Sequence, residues 1–414
     1  MAMNLENIVN QATAQYVKIK EHREPYTAHY NALKDKVYSE WKSSAVLGKL
    51  LKGSTLCGGY GDKLKVSIPD EFDLLIHLVF PENDKIIVKA DASKPGEMKT
   101  DIQLYSLSGT MPFWIGNVIL DMTKVMEIIG SQEHNKPVFD RLQKIVNNKK
   151  QLLEDKLNSF LESIMTQTLN KMGNQIEVAG RISHLQYKKC GPAHTIFVKG
   201  SCKYSVDFVP AIRLSAAQVV LAPEQRIHFG ETLYWDAIPK PMKPAKTDNT
   251  SFTSSFYEAE RRLLYGKQFL KPAIRLMKQN RNVKNKANLK SYHIKTLFLW
   301  QVIQQDPSYW SNSPKDIFIE VNDDFVMSTA NVLSLQMLGK LADSLALTPK
   351  KGKLPFFWDP KLDMFAQLTD SQRTDLYNHF RKCEYTFRKD NGNVNDCTEN
   401  NVHSSFSKNT TYKL

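Results

Sequence analysis

The sequence has little cysteine and no long apolar segment. Its 414 residues contain only 5 cysteines, scattered and without a Cys-x-x-Cys pair, so neither a disulfide framework nor a structural zinc site is expected. No apolar run approaches the roughly 20 residues that cross a bilayer. The first residues, MAMNLENIVNQATAQ, lack the apolar core of a signal peptide. We therefore expect a cytoplasmic protein with no membrane partner.

Negative charge is outnumbered by positive charge. The chain has 56 Lys and Arg against 43 Asp and Glu, a formal net charge of +13. Such an excess suits a polyanionic partner, which could be nucleic acid, nucleotides or an anionic membrane. A solvated basic surface without any such partner is about as common, so charge alone does not decide between them.

Apolar periodicity predicts the order of helices and strands. In the first half it predicts two helices, a Gly-rich tight loop at CGGYGDK, three strands, one long helix and three more strands. The last two of these strands form a predicted hairpin. The ranges are 4–20 and 28–52 for the helices, 57–63 for the loop, 64–68, 72–80 and 85–91 for the strands, 139–172 for the long helix, and 176–182, 194–200 and 203–212 for the later strands.

From residue 255 onward the pattern turns helical, with Pro272 expected to split or kink the first helix. The helices are predicted over 255–279, 291–305, 327–346 and 367–388. This layout predicts a mixed α/β N-terminal lobe that includes the long helix over 1–235 and a helical lobe over 236–390. The polar, Asn- and Ser-rich tail over 391–414 is expected to be disordered.

Paired carboxylates carry the chemical prediction. In PDEFDLLIHLVF, Glu71 and Asp73 point to one face of a strand while Phe72 and Leu74 point to the buried face. Carboxylates this close repel each other unless a cation lies between them, and oxygen ligands favour Mg²⁺ or Mn²⁺. Asp207, inside the apolar run YSVDFVPAI, can supply a third ligand. Two ions would lower the pKa of an attacking hydroxyl and stabilise a leaving pyrophosphate.

Simpler interpretations of these acids exist. An E-x-D pair is often a solvated strand face, and a lone strand acid is often only hydrogen-bonded. The Gly-rich turn just before the pair favours the catalytic interpretation, because its backbone N–H groups can bind a triphosphate.

These residues resemble a known family. The segment GGYGDKLKVSIPDEFDLL, residues 58–75, resembles the signature of cyclic GMP–AMP synthase and its animal relatives, the cyclic GMP–AMP synthase-like receptors. Further segments are similar in the same order, from about residue 28 to 390: YSVDFVPAI, SFYEAE (255–260), RLMK (275–278) and KSYHIKTLFLW (290–300). The resemblance implies an α+β, bilobal nucleotidyltransferase fold. It consists of a mixed-sheet N-terminal lobe with a long spine helix and a helical C-terminal lobe.

The resemblance also implies roles for single residues. Glu71, Asp73 and Asp207 match the catalytic metal ligands. Tyr292 matches a tyrosine that stacks on a nucleobase, although a core aromatic is an equally good interpretation. The implied nucleotide-binding residues, for some of which a solvated helix face is the alternative, are Gly58, Gly59, Glu260, Lys278, Ser291, Tyr292 and Lys295.

The implied activity is synthesis of a cyclic dinucleotide of the cyclic GMP–AMP type from ATP and GTP with two Mg²⁺ ions, or Mn²⁺. Double-stranded RNA is the expected activator, DNA being less favoured, and the product would be a second messenger of antiviral innate immunity. Lys271 and Arg275 share a basic helix face suited to phosphate contacts, with possible oligomerisation on the nucleic acid. A second basic set comprises Arg141, Lys144, Lys149 and Lys150.

The chain departs from the family pattern in three places. Gly59 stands where a phosphate-binding serine is expected, and Thr253 replaces an arginine that vertebrate members carry. A His/Cys zinc module that grips DNA is absent, since 258–278 runs through without cysteine. This last departure resembles invertebrate receptors, several of which sense double-stranded RNA. Because of Gly59 and Thr253, a catalytically inactive binding protein of the same fold is an alternative. A linear-oligonucleotide synthetase is a further alternative, disfavoured by the SYHIKT segment.

Overall fold

A computed structural model describes residues 23–66, 70–91, 117–240, 249–314, 316–321, 353–366 and 368–389. The predicted helices over 4–20 and 327–346 and the predicted disordered tail over 391–414 lie outside these residues. The predicted strand over 64–68 is described only as far as Val66, and residues 64–66 are not in a strand.

A mixed sheet forms the centre of the described part of the chain. Strand β8 pairs in parallel with β2 and antiparallel with β7 and β9, and the path through the sheet is β3-β4-β10-β9-β8-β7-β6-β5, with β1 paired to β2. The strands are β1 Leu51–Cys57, β2 Glu71–Leu78, β3 Ile87–Ala90, β4 Asn117–Asp121, β5 Gln175–Val178, β6 Arg181–Cys190, β7 Ala193–Lys199, β8 Tyr204–Ser215, β9 Tyr234–Ile238 and β10 Ser251–Ser255.

Helices lie before, within and after the strands in sequence. The α-helices with defined bounds are α1 Arg23–Lys42, α2 Leu47–Leu50, α3 Gly58–Gly61, α4 Thr123–Ile129, α5 Lys136–Ile145, α6 Glu154–Lys171, α7 Pro223–Arg226, α8 Tyr257–Leu263, α9 Leu270–Val283, α10 Ser291–Gln304 and α11 Asp370–Lys389, and residues 316–321 are helical as well. None of them is long and apolar enough to cross a membrane.

Three predicted helices were wrong in extent. The helix expected over 139–172 is broken between α5 and α6, because the Asn147 side-chain oxygen accepts hydrogen bonds from the backbone N–H groups of Lys149 and Gln151. The helix expected over 28–52 ends at Lys42, and strand β1 follows. The helix expected over 255–279 is broken between α8 and α9. Pro272 is not the cause, since it lies in the first turn of α9, where its missing N–H costs little.

Helix α1 packs across the strands that carry the predicted metal ligands. Its apolar side chains recur at helical spacing and are buried. Tyr30 stacks on Phe72 with ring centroids 4.4 Å apart, and Trp41 meets Phe208 edge-on at 5.7 Å. Since side chains alternate along a strand, burial of Phe72 and Phe208 on this face turns their neighbouring acids to the opposite face.

The helical part packs around α10, which is buried on nearly all sides. A helix that is apolar all round belongs to the interior, and α8 and α9 pack against it. Strand β10 lies beyond the predicted lobe boundary at residue 235 but is hydrogen-bonded to β9 and β4 in the sheet. The division at 235 itself stays a prediction.

Candidate active site

Three carboxylates meet where β2 and β8 run side by side. The parallel register places Asp73 opposite Asp207, with Glu71 two residues before Asp73 on the same face. One oxygen from each of the three acids lies within 4.8 Å of the other two. Asp73 and Asp207 are each only 1% exposed. The structure therefore brings the three predicted ligands together in a buried cluster.

The electrostatics of Asp207 fit a cation site. Its Oδ1 accepts a hydrogen bond from Thr195 Oγ1 at 2.6 Å, while its buried Oδ2 has no hydrogen-bond partner among the described residues. Burial, together with the charge of Glu71, raises the pKa of Asp207 to about 6. A group of carboxylates with an unsatisfied buried oxygen suits a hard divalent cation such as Mg²⁺ or Mn²⁺.

Helix α3 is a single Gly-rich turn pressed against this cluster. Gly58 has φ +64°, a left-handed conformation that favours glycine, and a Cβ there would overlap Oδ2 of Asp73. A Cβ on Gly59 would instead lie 3.3 Å from Nζ of Lys278. The position where a serine was expected therefore faces a lysine ammonium group.

A pocket opens beside the carboxylate cluster. Its lining includes all seven residues expected to bind nucleotide, together with Cys57, Asp62, Leu64, Leu75, Ser255 and Tyr257. Residues from both lobes contribute, because α3 and β2 form one wall and α8, α9 and α10 form the other. The juxtaposition is observed, whereas the binding roles of these residues stay predictions.

An ion-pair network crosses the pocket between the two lobes. Lys295 Nζ lies 2.9 Å from Asp62 Oδ2 and 2.8 Å from Glu260 Oε2. Burial alone would lower the pKa of Lys295, but the two carboxylates outweigh it and raise that pKa. Glu260 Oε1 also accepts hydrogen bonds from the Tyr292 hydroxyl and, at 3.0 Å, from Trp358 Nε1. These contacts together hold the Glu260 carboxylate in place in the pocket lining.

Comparison with known proteins agrees with this geometry. Residues 60–266 match the Mab-21 protein nucleotidyltransferase domain, and residues 269–382 match the Mab-21 protein HhH/H2TH-like domain. The chain is 91% identical over 414 residues, all of both chains, to Cyclic GMP-AMP synthase-like receptor 1 of Drosophila melanogaster.

The chain belongs to the cyclic GMP-AMP synthase-like receptors.

Two further relatives support the assignment. The receptor 1 of Drosophila simulans is 83% identical over 410 residues, covering 99% of this chain and 95% of the relative. That of Drosophila erecta is 70% identical over 406 residues, covering 98% and 83%. The predicted family and the predicted α+β fold, a nucleotidyltransferase domain followed by a helical domain, are both confirmed.

Sequence reasoning missed several residues of this receptor's site. Lys65 Nζ lies 2.8 Å from Asp70 Oδ1 and 3.3 Å from Glu71 Oε2, so a cation already stands next to one predicted metal ligand. The sequence offered a signal for Lys65, because this residue lies in the quoted signature, six residues before Glu71. Asp62 lies in the same segment, but its pairing had no local signal, because its partner Lys295 is 233 positions away.

The predicted nucleic-acid-binding residues lie outside the pocket. Lys271 and Arg275 are half-buried on α9, and Nε of Arg275 has no hydrogen-bond partner in the described part of the chain. Burial lowers the pKa of Lys271, whose charged neighbours include the acid Asp62 as well as the cations Lys63 and Arg261. These cations, which the sequence did not single out, extend the basic surface to the residue directly after Asp62.

The second basic set is split. Arg141 and Lys144 line a groove with Lys156, and the Arg141 guanidinium lies 4.3 Å from the centre of the Phe160 ring. The other two members, Lys149 and Lys150, are exposed in the turn that separates α5 from α6. Lys149 and Lys150 therefore do not lie on the helix that the sequence predicted.

Proposed function

We propose that this chain is a cytoplasmic, nucleic-acid-activated nucleotidyltransferase that makes a cyclic dinucleotide of the cyclic GMP–AMP type from ATP and GTP. The observation that carries the proposal is the buried cluster of Glu71, Asp73 and Asp207 beside a two-lobed pocket. The names of the relatives support the class of product. The product would serve as an antiviral second messenger.

The reaction joins two nucleotides in two similar steps. A ribose hydroxyl of one nucleotide attacks the α-phosphate of the other, a new P–O bond forms, and the bond to pyrophosphate breaks. A second attack in the opposite sense closes the ring. Glu71, Asp73 and Asp207 would hold two divalent cations, which lower the pKa of the attacking hydroxyl and stabilise the charge on pyrophosphate.

One pocket residue is suited to bind the phosphates of a nucleotide, and another is suited to bind its base. Lys278 is buried, and among the described residues its Nζ donates a hydrogen bond to a neutral acceptor alone, the Leu64 carbonyl at 2.8 Å, so its charge is available to a triphosphate. Tyr292 offers a ring held in place through its bond to Glu260. Ring stacking tolerates either purine, which suits a pocket that receives both ATP and GTP in turn.

Activation by double-stranded RNA is supported by the position of the basic surface. Lys271 has Lys63 and Arg261 as charged neighbours, and Lys63 follows Asp62 in the loop after α3. Phosphates bound there would attract the loop whose glycine turn covers Asp73. RNA duplexes are recognised largely by shape and backbone contacts, which such a surface can make without reading bases.

A catalytically inactive nucleotide-binding protein is the second candidate. It is favoured by Gly59, which lacks the hydroxyl that a serine would offer to a phosphate. The complete carboxylate cluster argues against it, because buried acids cost stability unless they are paired or bind a cation, and this arrangement suits catalytic metal ions.

The direct test is to incubate the full chain with labelled ATP and GTP, Mg²⁺ or Mn²⁺, and double-stranded RNA or double-stranded DNA. We expect a cyclic dinucleotide with RNA and none from Asp207→Ala. No product from the native chain under any condition, or the same product from the variant, would refute the enzyme. Product with DNA alone would refute the assignment of RNA.

The activating surface has a separate test. Charge reversal of Lys271 and Arg275 together is expected to abolish activation by RNA while leaving the fold intact, as judged by a cooperative thermal unfolding transition. The matched control reverses two exposed lysines elsewhere, Lys52 and Lys361, and should retain activation. Full activation of the first variant would show that RNA binds to another surface.

A further inference from the structure

Arg281 is a half-buried cation without a carboxylate partner. Its Nη1 donates to Ser291 Oγ at 2.9 Å and to the Leu289 carbonyl at 3.2 Å. Nε and Nη2 both donate to Asn282 Oδ1, at 3.0 and 2.6 Å. Within the described ranges no acid lies at ion-pair distance from it, so every observed acceptor of Arg281 is neutral. Burial lowers its pKa to about 10.

A second cation stands one helical turn away. Lys278 is only 5% exposed and likewise has a neutral acceptor, the Leu64 carbonyl. Burial, reinforced by the charges of Arg281 and Lys65, lowers the pKa of Lys278 to about 7. In the part of the chain that the structure describes, neither cation has a carboxylate at ion-pair distance, and two neighbouring cations so largely removed from water repel each other. An anion bound between them would offset that repulsion.

Ser291 connects Arg281 to the pocket. It is the first residue of α10 and lines the pocket together with Lys278. A guanidinium group has five N–H donors and no acceptor, and it does not lose its proton in proteins. In the bond between them the Ser291 oxygen must therefore be the acceptor. The hydroxyl proton of Ser291 is then directed to some other acceptor, and an acceptor-only group such as a phosphate oxygen satisfies it best.

We propose that Arg281 is a positioning residue for the triphosphate of the bound nucleotide, acting through the hydroxyl of Ser291. Arg281 fixes this hydroxyl as a donor facing the pocket, while Lys278 contacts the same phosphates directly. The inference rests on the proposed function in so far as the pocket takes a nucleoside triphosphate.

A double-mutant cycle tests the link between the two side chains. Binding of α,β-methylene ATP with Mg²⁺ to the full chain would be measured by calorimetry for Ser291→Ala, Arg281→Met and the double variant. A hydrogen bond to a charged group is worth about 1.5–3 kcal/mol, so each single change should weaken binding by about tenfold or more. Because both act on one hydroxyl, the double variant should bind no more weakly than the weaker single variant.

Two further readouts separate positioning from a general structural role. Arg281→Lys keeps the charge but loses the planar fork, and it should recover part of the affinity lost in Arg281→Met. In turnover, Arg281→Met should raise KM for the nucleotide more than it lowers kcat. The control is Lys286→Met, a nearby cation whose Nζ pairs with Asp375 at 2.6 Å outside the pocket, which should change neither quantity.

Several results would overturn the proposal. Unchanged affinity in Arg281→Met would do so, as would losses that multiply in the double variant, since Arg281 would then act independently of Ser291. If Arg281→Met does not fold, judged by its thermal unfolding without nucleotide, the cycle is run with Arg281→Lys instead. Triphosphate binding without any product would refute the proposed function alone. Product formation with an unaffected Arg281→Met would refute this inference alone.

Discussion

Asp207 should destabilise the metal-free protein at neutral pH. Its pKa in the folded chain is about 6, against an ordinary value of 3.8. A raised carboxyl pKa means that the folded state prefers the protonated form, so this group favours folding most below about pH 4. That contribution is lost as the pH rises through about 6. The difference corresponds to about 3 kcal/mol at pH 7, taken as an upper limit.

Asp207→Asn removes this cost without changing shape. The amide oxygen can still accept the hydrogen bond from Thr195, which is 2.6 Å long in the native chain. We expect the variant to be catalytically inactive and yet more stable without metal, with a thermal unfolding midpoint several degrees higher at pH 7. At pH 4 the gain should largely vanish, because the native carboxyl group is then protonated.

The assay is scanning calorimetry of both proteins in EDTA across pH 4–8, repeated with Mn²⁺. Metal should stabilise the native chain by mass action and the variant much less. Asp236→Asn is the matched control. Asp236 is also buried, but it is paired with His77 at 3.1 Å and Arg213 at 3.3 Å. Breaking such a buried pair should cost about 3–5 kcal/mol.

A metal-free Asp207→Asn protein that unfolds at a lower temperature than the native chain at pH 7 would refute this reasoning. So would a stability gain that grows as the pH falls toward 4. Either result would mean that the charge of this carboxylate is already compensated in the folded protein.

Three other substitutions test the pocket walls. Gly58→Ala should abolish product formation and cost about 1–3 kcal/mol of stability, because its methyl group would overlap Asp73 at a positive φ; activity assays and thermal unfolding check both. Lys295→Met leaves two buried carboxylates without their shared counter-ion and should cost about 3–5 kcal/mol in urea unfolding. Gly59→Ser should keep the fold and change KM for ATP by less than about tenfold, since a Cβ there lies 3.3 Å from Lys278 Nζ and 3.7 Å, an ordinary contact distance, from the Lys65 backbone. Unfolding or complete loss of activity would contradict this.

Local patterns were enough to predict the carboxylate faces. Alternation along a strand is set by neighbouring residues alone, and it correctly placed Glu71 and Asp73 on one side with Phe72 buried on the other. The break between α5 and α6 is also local, since Asn147 begins it. A single helix was predicted across this break because the apolar periodicity was followed in place of the turn signal that Asn147 offers.

Long-range contacts could not be predicted in the same way. The parallel register that sets Asp73 beside Asp207 depends on how β2 and β8 pair, which no local pattern specifies. The pairing of Asp62 with Lys295 depends on how the two lobes meet. Strand β1 was missed for a related reason: its sequence LKGSTLC has no alternation of apolar residues, and its pairing with β2 is a contact that no local pattern specifies.

The hydrogen bond between Trp358 and Glu260 gives the molecule an optical reporter. The indole is 2% exposed, and its Nε1 lies 3.0 Å from Oε1 of the pocket-lining residue Glu260. Indole emission responds to the charges and dipoles around it, so nucleotide entry that rearranges Glu260 would shift the spectrum. The chain has 6 tryptophans, and a Trp358→Phe variant would supply the background from the other five. Pocket occupancy can then be followed in real time without any attached dye.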